Sequence, residues 1–372
     1  MKNTTHDVIL IGAGFAGLAC AQTLARQGLQ VMVQEKNPWP GTKIHTTGIL
    51  VKELAETWNP PARYCNKIDQ VRLYSPNMDY LDLHAPDYYF LATDTRSLLR
   101  WHAEQTIQSG ASIRYGSIYN GSERQDGYHV LARTETRCRY LIGSDGSRSR
   151  VARQFALGRN QQFLLGVEAD FQPPAGLSPK HLHVFLDQDL ARGYIAWIVP
   201  GIRDVRIGMA TRAPEPPDFD RLLAKLSRHW PIDTTVKPVR RAGLIPCGGL
   251  VHPFYTESVL LLGDAAGMVS PLTAGGIHPA IHIGEQAGQM VAEHLLHQGE
   301  NPGRALRREL PRYYFKSSLR YLFDHLPINN RLYDRLISKP YFRLLAQTLF
   351  FHHRGLLSAA AWRDIINLSL ET

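Results

Sequence analysis

Val8-Ile9-Leu10-Ile11-Gly12-Ala13-Gly14-Phe15-Ala16-Gly17 opens the chain with four apolar residues and three glycines in the order G-x-G-x-x-G. The apolar run reads as a buried parallel strand, Leu18 to Gln27 as a helix ended by Gly28, and Gln30 to Glu35 as a second strand. In such a βαβ unit each glycine has a mechanical task. Gly12 allows the tight turn, Gly14 lets the backbone approach a pyrophosphate, and Gly17 permits close packing of helix on strand. The helix N-terminus offers unpaired N–H groups and a partial positive charge to phosphate. Glu35, closing the second strand, is placed to accept from ribose hydroxyls, and an acid there disfavours a 2′-phosphate. The stretch predicts a dinucleotide-binding fold.

A second motif stands late in the chain. Leu261-Leu262-Gly263-Asp264-Ala265-Ala266-Gly267 is an apolar strand ending in Gly-Asp, followed by Pro271-Leu272-Thr273-Ala274-Gly275-Gly276-Ile277 at a helix start. Small residues and a Pro/Gly turn in that order suit the ribityl chain and ring of a flavin, so the cofactor expected is FAD. Between the two motifs, Tyr140-Leu141-Ile142-Gly143-Ser144-Asp145-Gly146 delivers another apolar strand into an Asp-Gly turn.

The middle of the chain changes character. Asp94 to Ser109 reads as a helix with Arg96 in its first turn. Ala111 to Tyr119 and Tyr128 to Thr134 read as an antiparallel meander. From Gln161 to Ala210 strands follow one another without helices, which predicts a separate antiparallel sheet on the substrate side. A helix is expected from Phe219 to Trp230, and consecutive helices broken at Pro311, Pro327 and Pro340.

Composition bounds the rest. The chain has 372 residues, 44% apolar and 20% charged, as in a folded enzyme. No run of 18 apolar residues predicts a membrane-spanning helix, and the first apolar run is too short for a signal peptide, so the expected location is cytoplasmic. Cys20, Cys65, Cys138 and Cys247 are scattered without a CxxC pair, which points to free thiols and to no metal site. The net charge is +9, and Asn301 to Thr372 carries twelve Lys/Arg against five Asp/Glu beside many apolar and aromatic residues. That pattern fits either a packed helical cap or a peripheral contact with a membrane surface, and no nucleic-acid motif accompanies it.

Gly12-x-Gly14-x-x-Gly17 with Glu35, Asp145-Gly146-x-x-Ser149, and Gly263-Asp264 with Gly275-Gly276-Ile277 together resemble the FAD-dependent oxidoreductases of the para-hydroxybenzoate hydroxylase fold, over roughly residues 8 to 290. Within that superfamily the chain is most similar to the geranylgeranyl reductase family, through Pro271 to Ile277 and Gly193-Tyr194-Ile195-Ala196-Trp197-Ile198-Val199-Pro200. It departs from that family by one extra residue between Tyr194 and Trp197, by Val199 where an aromatic is usual, and by His45 and Thr46 where many members carry a cysteine.

The resemblance implies an α/β fold: a Rossmann-like FAD-binding domain (three-layer ββα) with an inserted antiparallel-sheet substrate domain and a helical C-terminal region. The expected bounds are 1–75, 93–160 and 255–300 for the first, 76–92 and 161–254 for the second, and 301–372 for the third. Expected cofactor contacts are Gly12, Gly14, Ala16, Gly17, Glu35, Lys36, Thr46, Thr47, Arg96, Asp145, Asp264, Gly275, Gly276 and Ile277. Tyr194, Trp197 and Pro200 are expected to line an apolar substrate slot, with His45 or Tyr194 as proton donor.

The chemistry implied is reduction of a carbon–carbon double bond in an isoprenoid-like or other apolar substrate. An external donor, NAD(P)H or a reduced electron carrier, would supply the electrons. Backbone N–H groups of Gly275, Gly276 and Ile277 would steady negative charge on the reduced ring. An aromatic monooxygenase of the same fold is the first rival. A flavin-dependent cyclase or halogenase is a second, although the halogenase two-tryptophan strand is broken here by Ile195. A lipid-binding flavoprotein without turnover is the alternative from another class.

Overall fold

The computed structural model describes residues 4–44, 46–134, 136–235, 238–310, 314–325 and 329–351. Its elements begin with β1 (Thr5–Ile11), α1 (Phe15–Arg26), β2 (Val31–Gln34), β3 (Ile49–Val51), α2 (Lys52–Trp58), β4 (Cys65–Ile68), β5 (Gln70–Tyr74) and β6 (Tyr80–His84). Next come β7 (Phe90–Thr93), α3 (Thr95–Gln108), β8 (Ser112–Arg114), β9 (Ser122–Gln125), β10 (Tyr128–Leu131), β11 (Arg137–Gly143) and α4 (Arg150–Gln154). They continue with β12 (Phe163–Phe171), β13 (His181–Phe185), β14 (Ala196–Pro200), β15 (Val205–Arg212), α5 (Phe219–Leu226), β16 (Arg241–Pro246) and β17 (Val259–Leu261). The last are α6 (Ile277–His297), α7 (Pro302–Glu309), α8 (Tyr314–His325), α9 (Asn330–Leu336) and α10 (Pro340–Phe351).

The chain forms two compact units, Met1–Ile44 with Thr95–Phe163 and Leu244–Tyr321, and His45–Asp94 with Leu164–Gly243 and Leu322–Thr372. The first is built on a sheet of order β8-β2-β1-β11-β10-β9, with β17 also paired to β11. Val8 to Ile11 are buried, as a continuous apolar run in a parallel sheet must be. β1 pairs in parallel with both β2 and β11, and β17 runs parallel to the carboxyl half of β11. In this register Ile11 lies opposite Gly143, and Gly143 opposite Leu261. The turns after β1, β11 and β17 therefore leave from the same edge of one sheet, the carboxyl edge where open α/β sheets take their ligands. This is the Rossmann-like arrangement expected.

α1 and α6 pack closely because α6 offers glycines where they touch. A Cβ on Gly284 would stand 2.7 Å from the Ala16 carbonyl oxygen, and one on Gly288 would stand 2.9 Å from the Cys20 carbonyl oxygen. Both contacts advance by four residues, so the helices run parallel. α6 then starts about 9 Å ahead of α1 along their common direction, at 1.5 Å rise per residue.

The second unit has a largely antiparallel sheet of order β16-β12-β15-β14-β13-β5-β6, in which β5 and β13 run parallel, and a small sheet β3-β7-β4. One face of the large sheet carries Val167, Ala169, Phe171, Phe185, Ile198, Ile207 and Met209, packed with Phe219, Leu222 and Leu226 of α5. Burial of a side chain of this size contributes about 1.5–3 kcal/mol. Alternation then puts Glu168, Gly208 and Trp197 on the opposite face.

Several expectations are redrawn. Residues 45–75, expected beside the dinucleotide fold, belong to the second unit, and the C-terminal helices divide between the units at Tyr321. β8 adds in parallel to the edge of the first sheet beside β2, while the antiparallel meander is β9-β10-β11. The strand expected from Tyr194 starts at Ala196, because Gly193 has φ +73° and the Tyr194 N–H closes a turn on the Ala191 carbonyl at 2.9 Å. The helix from Phe219 stops at Leu226, four residues short of Trp230.

Candidate functional site

The first unit gathers most of the expected cofactor residues at its sheet edge. Gly12 has φ +107°, and a Cβ there would stand 2.4 Å from the Ser144 carbonyl oxygen. A Cβ on Gly17 would meet the Gly12 carbonyl at 2.2 Å. These two glycines are demanded by packing. Gly14 differs: a Cβ there would meet nothing within 4 Å. The open side of the loop thus lies at Gly14, just before the N-terminus of α1, where a pyrophosphate would find N–H donors and the positive helix end.

Glu35 is buried and holds the loop in shape. Its Oε2 accepts from the Ala13 N–H at 2.8 Å, and its Oε1 from the Asn37 N–H at 2.8 Å and the Asn37 Nδ2 at 2.7 Å. A carboxylate has about four lone-pair sites, so capacity remains for a ribose hydroxyl. Lys36 beside it is exposed. Gly41, at φ +73°, packs on Arg96, whose Cα would lie 3.0 Å from a Cβ there. Arg96 itself is exposed in the first turn of α3 and makes no hydrogen bond or ion pair among the described residues.

Asp145 has a structural duty. Its Oδ2 accepts from the Arg150 and Val151 N–H groups at 2.6 and 3.2 Å, capping α4. Ser144, which sequence reasoning passed over, does more at the loop. Its hydroxyl donates to the Ile11 and Gly12 carbonyls at 3.0 and 2.9 Å, tying the β11 turn to the β1 turn. Only its position at a strand end, just before Asp145-Gly146, could have singled it out.

Asp264 stands on the short helical turn Gly263–Ala266 after β17. Its side chain is exposed, yet protein atoms crowd it so heavily that desolvation lifts its carboxyl pKa to about 6. Its Oδ1 would lie 3.7 Å from a Cβ on Gly276, the residue that caps α6, so the Asp264 carboxyl and the α6 N-terminus share one wall. The Ser270–Gly275 turn is closed by the Ser270 N–H on the Gly275 carbonyl at 3.2 Å. Ile277 begins α6, and the first-turn N–H groups of any α-helix lack an i−4 partner. Asn160, also unforeseen, donates to the Asp264 and Ser147 carbonyls at 2.8 and 3.1 Å.

These features fit a dinucleotide flavin. One positive helix end faces the open side of Gly14, a second lies about 9 Å further along, and a crowded carboxyl stands beside the second. A groove of about 1070 Å³ lined by residues such as Tyr119, Arg133 and Arg153 shares none of the expected site residues.

The second unit holds the other candidates. Thr47 donates its hydroxyl to Glu168 Oε2 at 2.8 Å, and Arg206 donates to the Thr47 carbonyl. Thr46 precedes it, and His45 lies outside the described residues. Trp197, in β14, lies flat over Gly208: a Cβ on that glycine would stand 2.5 Å from the indole Cε2. Gly208 is therefore as much part of the wall as the indole, with no signal beyond a glycine in a strand. Pro200, three residues along the same strand, stands on the other face and does not share a wall with Trp197. Tyr194 sits in the turn before β14.

Comparison with known proteins gives the arrangement a family. A family described as FAD-dependent oxidoreductase matches residues 7–88, and one described as FAD binding domain matches residues 77–303. A digeranylgeranylglycerophospholipid reductase 2 of Methanopyrus kandleri is 28% identical over 320 residues, covering 77% of each chain. A digeranylgeranylglycerophospholipid reductase 1 of Methanothermobacter thermautotrophicus is 29% identical, covering 78% of this chain and 77% of that one. A geranylgeranyl bacteriochlorophyll reductase-like protein from Thermoplasma acidophilum shares the fold at a TM-score of 0.81 and 18% identity, covering 98% of this chain and 96% of that one. With more than half its length matched and its glycine loop, Asp264 turn and α6 cap on one sheet edge, the chain belongs to the FAD binding domain family and is an FAD-dependent oxidoreductase.

Proposed function

We propose that this enzyme reduces carbon–carbon double bonds of an isoprenoid-like, apolar substrate. The observation that carries the proposal is the kinship, along 77% of the chain, with proteins named as digeranylgeranylglycerophospholipid reductases. The flat indole of Trp197 over Gly208 supports it, since an aromatic wall suits an apolar chain.

When bound, the flavin supplies the hydride-transfer chemistry. The chain's own residues do the rest. The α1 N-terminus and Gly14 hold the pyrophosphate, Glu35 the ribose, and Asp264 the polar chain between phosphate and ring. Gly275, Gly276 and Ile277 would present the α6 N-terminus to the flavin ring, where a positive helix end favours negative charge. Lys36, Thr46, Thr47 and Arg96 add contacts along the same cofactor. Trp197 and Tyr194 exclude water from the substrate. The Tyr194 phenol or the His45 imidazole gives a proton to the carbon that does not receive hydride, so each double bond gains two hydrogens. NAD(P)H or a reduced electron carrier supplies the two electrons.

The same reading places the enzyme in the cytoplasm, at a membrane surface where such substrates reside. No described helix is long and apolar enough to cross a membrane. α9, α10 and their junction expose Arg331, Leu332, Arg335, Lys339, Tyr341 and Leu345, a basic and apolar set suited to an anionic lipid interface.

The test is anaerobic turnover of the dithionite-reduced holoenzyme with a geranylgeranyl lipid, read by mass spectrometry. The expected product gains two hydrogens per double bond, and Tyr194→Phe or His45→Gln slows its formation. Oxygen consumption stimulated by a phenol, with no change in the lipid, would replace this reading with the monooxygenase one.

A further inference from the structure

We infer that Glu168 is a positioning residue of the reaction: its buried carboxylate fixes the Thr47 segment and the Trp197 row on one face of the second sheet. The inference rests on the proposed function, which puts Thr47 beside the cofactor and Trp197 beside the substrate.

Glu168 on β12 lies opposite Gly208 on β15, and Gly208 lies opposite Trp197 on β14. Directly opposite residues share a face, so the three form one row, and the indole lies across the middle of it. The next row is Asp170, Arg206 and Val199. Thr47 bridges the two rows. Its hydroxyl donates to Glu168, and its carbonyl accepts from Arg206, whose Nε also donates to Asp170 at 3.0 Å. Arg241 on β16 closes the set with two hydrogen bonds to Asp170, at 2.5 and 2.9 Å, and an ion pair to Glu168 Oε1 at 3.5 Å. Thr47 is thus held at both of its polar groups by a sheet more than a hundred residues away in sequence.

Two arguments separate positioning from mere stability. Glu168 is only 6% exposed, and buried ion pairs gain little net stability once desolvation is counted. In addition, Trp197 Nε1 is buried without a hydrogen-bond partner among the described residues, while Glu168 Oε1 and Arg241 Nε face each other at 3.5 Å as an ion pair without hydrogen-bond geometry. An unpaired buried indole N–H is rare in native folds, and a loosely met ion pair beside it on the same face indicates geometry held for a purpose other than polar satisfaction. The loop could have been tied down by apolar contacts at less cost.

The experiment compares Glu168→Gln, Thr47→Val and the double variant as FAD-loaded proteins. Visible circular dichroism of the flavin and the kcat and KM for the geranylgeranyl lipid are the readouts. The expected result is the same flavin band shift in both single variants, no further shift in the double variant, and a kcat lowered by about 100-fold with KM changed little. Thr47→Ser is expected to restore both readouts. Unchanged flavin bands in Thr47→Val overturn the inference, as does a loss of thermal stability with unaltered kcat. Should Glu168→Gln not fold, Thr47→Val and Thr47→Ser still decide it, since neither touches a charge. A chain inactive on every prenyl lipid sinks the proposed function alone, because the flavin bands test the placement of Thr47 without a substrate.

Discussion

Gly284 of α6 faces Ala16 of α1 so closely that a methyl group on the glycine would stand 2.7 Å from the alanine carbonyl oxygen. That contact sets the stagger between the two helix N-termini. Gly284→Ala is expected to lower stability by about 1–3 kcal/mol, the usual range for overpacking, and to weaken FAD retention. Urea midpoints with and without FAD check it; an unmoved midpoint would show that the helices do not approach as described.

The glycines of the first loop should separate by role. Gly12→Ala forces a side chain into φ +107° and against the Ser144 carbonyl, and the protein is expected to misfold or lose its FAD-independent stability. Gly14→Ala meets open space, so the apoprotein should keep its stability within about 1 kcal/mol. Its FAD affinity should nonetheless fall by about tenfold or more, as the new methyl occupies the approach of the pyrophosphate. Titration by flavin fluorescence decides this, and wild-type affinity in Gly14→Ala would place the phosphates elsewhere.

If Asp264 holds the cofactor as proposed, its binding role carries an acid–base cost. Its folded pKa, raised by desolvation to about 6, lies above the ordinary carboxylate value, so the folded apoprotein holds this proton more tightly than the unfolded chain. Stability from this group is greatest below about pH 4 and declines as pH rises through 6. Asp264→Asn should therefore raise the melting temperature of the apoprotein at pH 7, leave it unchanged near pH 4, and weaken FAD binding at both. Equal melting temperatures at pH 7 would mean the carboxyl is not desolvated.

Buried histidines act in the opposite sense. Burial lowers the pKa of His102 to about 3, and of His129 and His183 to about 4. The unfolded chain takes up these protons first, near pH 6.5, so stability is lost as pH falls below that value. His183 is neutral in the fold, with Nδ1 against the Tyr74 hydroxyl at 2.9 Å and Nε2 against the Ser178 carbonyl at 3.1 Å. A melting temperature that drops between pH 7 and pH 5, with a shallower drop in His183→Gln, is the expected pattern. A flat profile would contradict the burial of these rings.

Much of the first unit was legible because its constraints are local. The contact between Gly17 and the Gly12 carbonyl lies within one loop, and Glu35 follows the next strand along and bonds back to Ala13 of that loop, although the Ser144 contact of Gly12 comes from far along the chain. Gly263-Asp264 is readable for a similar reason: it ends a strand and starts a turn. The second unit hid its organisation. β5 pairs with β13 in parallel, Gln70 opposite His181, and nothing near residue 70 records that partner. Nothing in the alternating strand around Glu168 records its partners, which arrive from Thr47 and Arg241. Gly208 carries no motif at all; only the indole lying over it explains why no side chain stands there.

The order in which the sheet is completed has a consequence for biosynthesis. β1 with its glycine loop leaves the ribosome first, whereas β17, the Asp264 turn and α6 follow about 250 residues later. A nascent polypeptide ending before α6 lacks the Asp264 turn and the second helix N-terminus proposed to hold the flavin. Colour should therefore appear only once translation has passed α6, and fragments truncated ahead of it should be isolated colourless even where their first strands have folded.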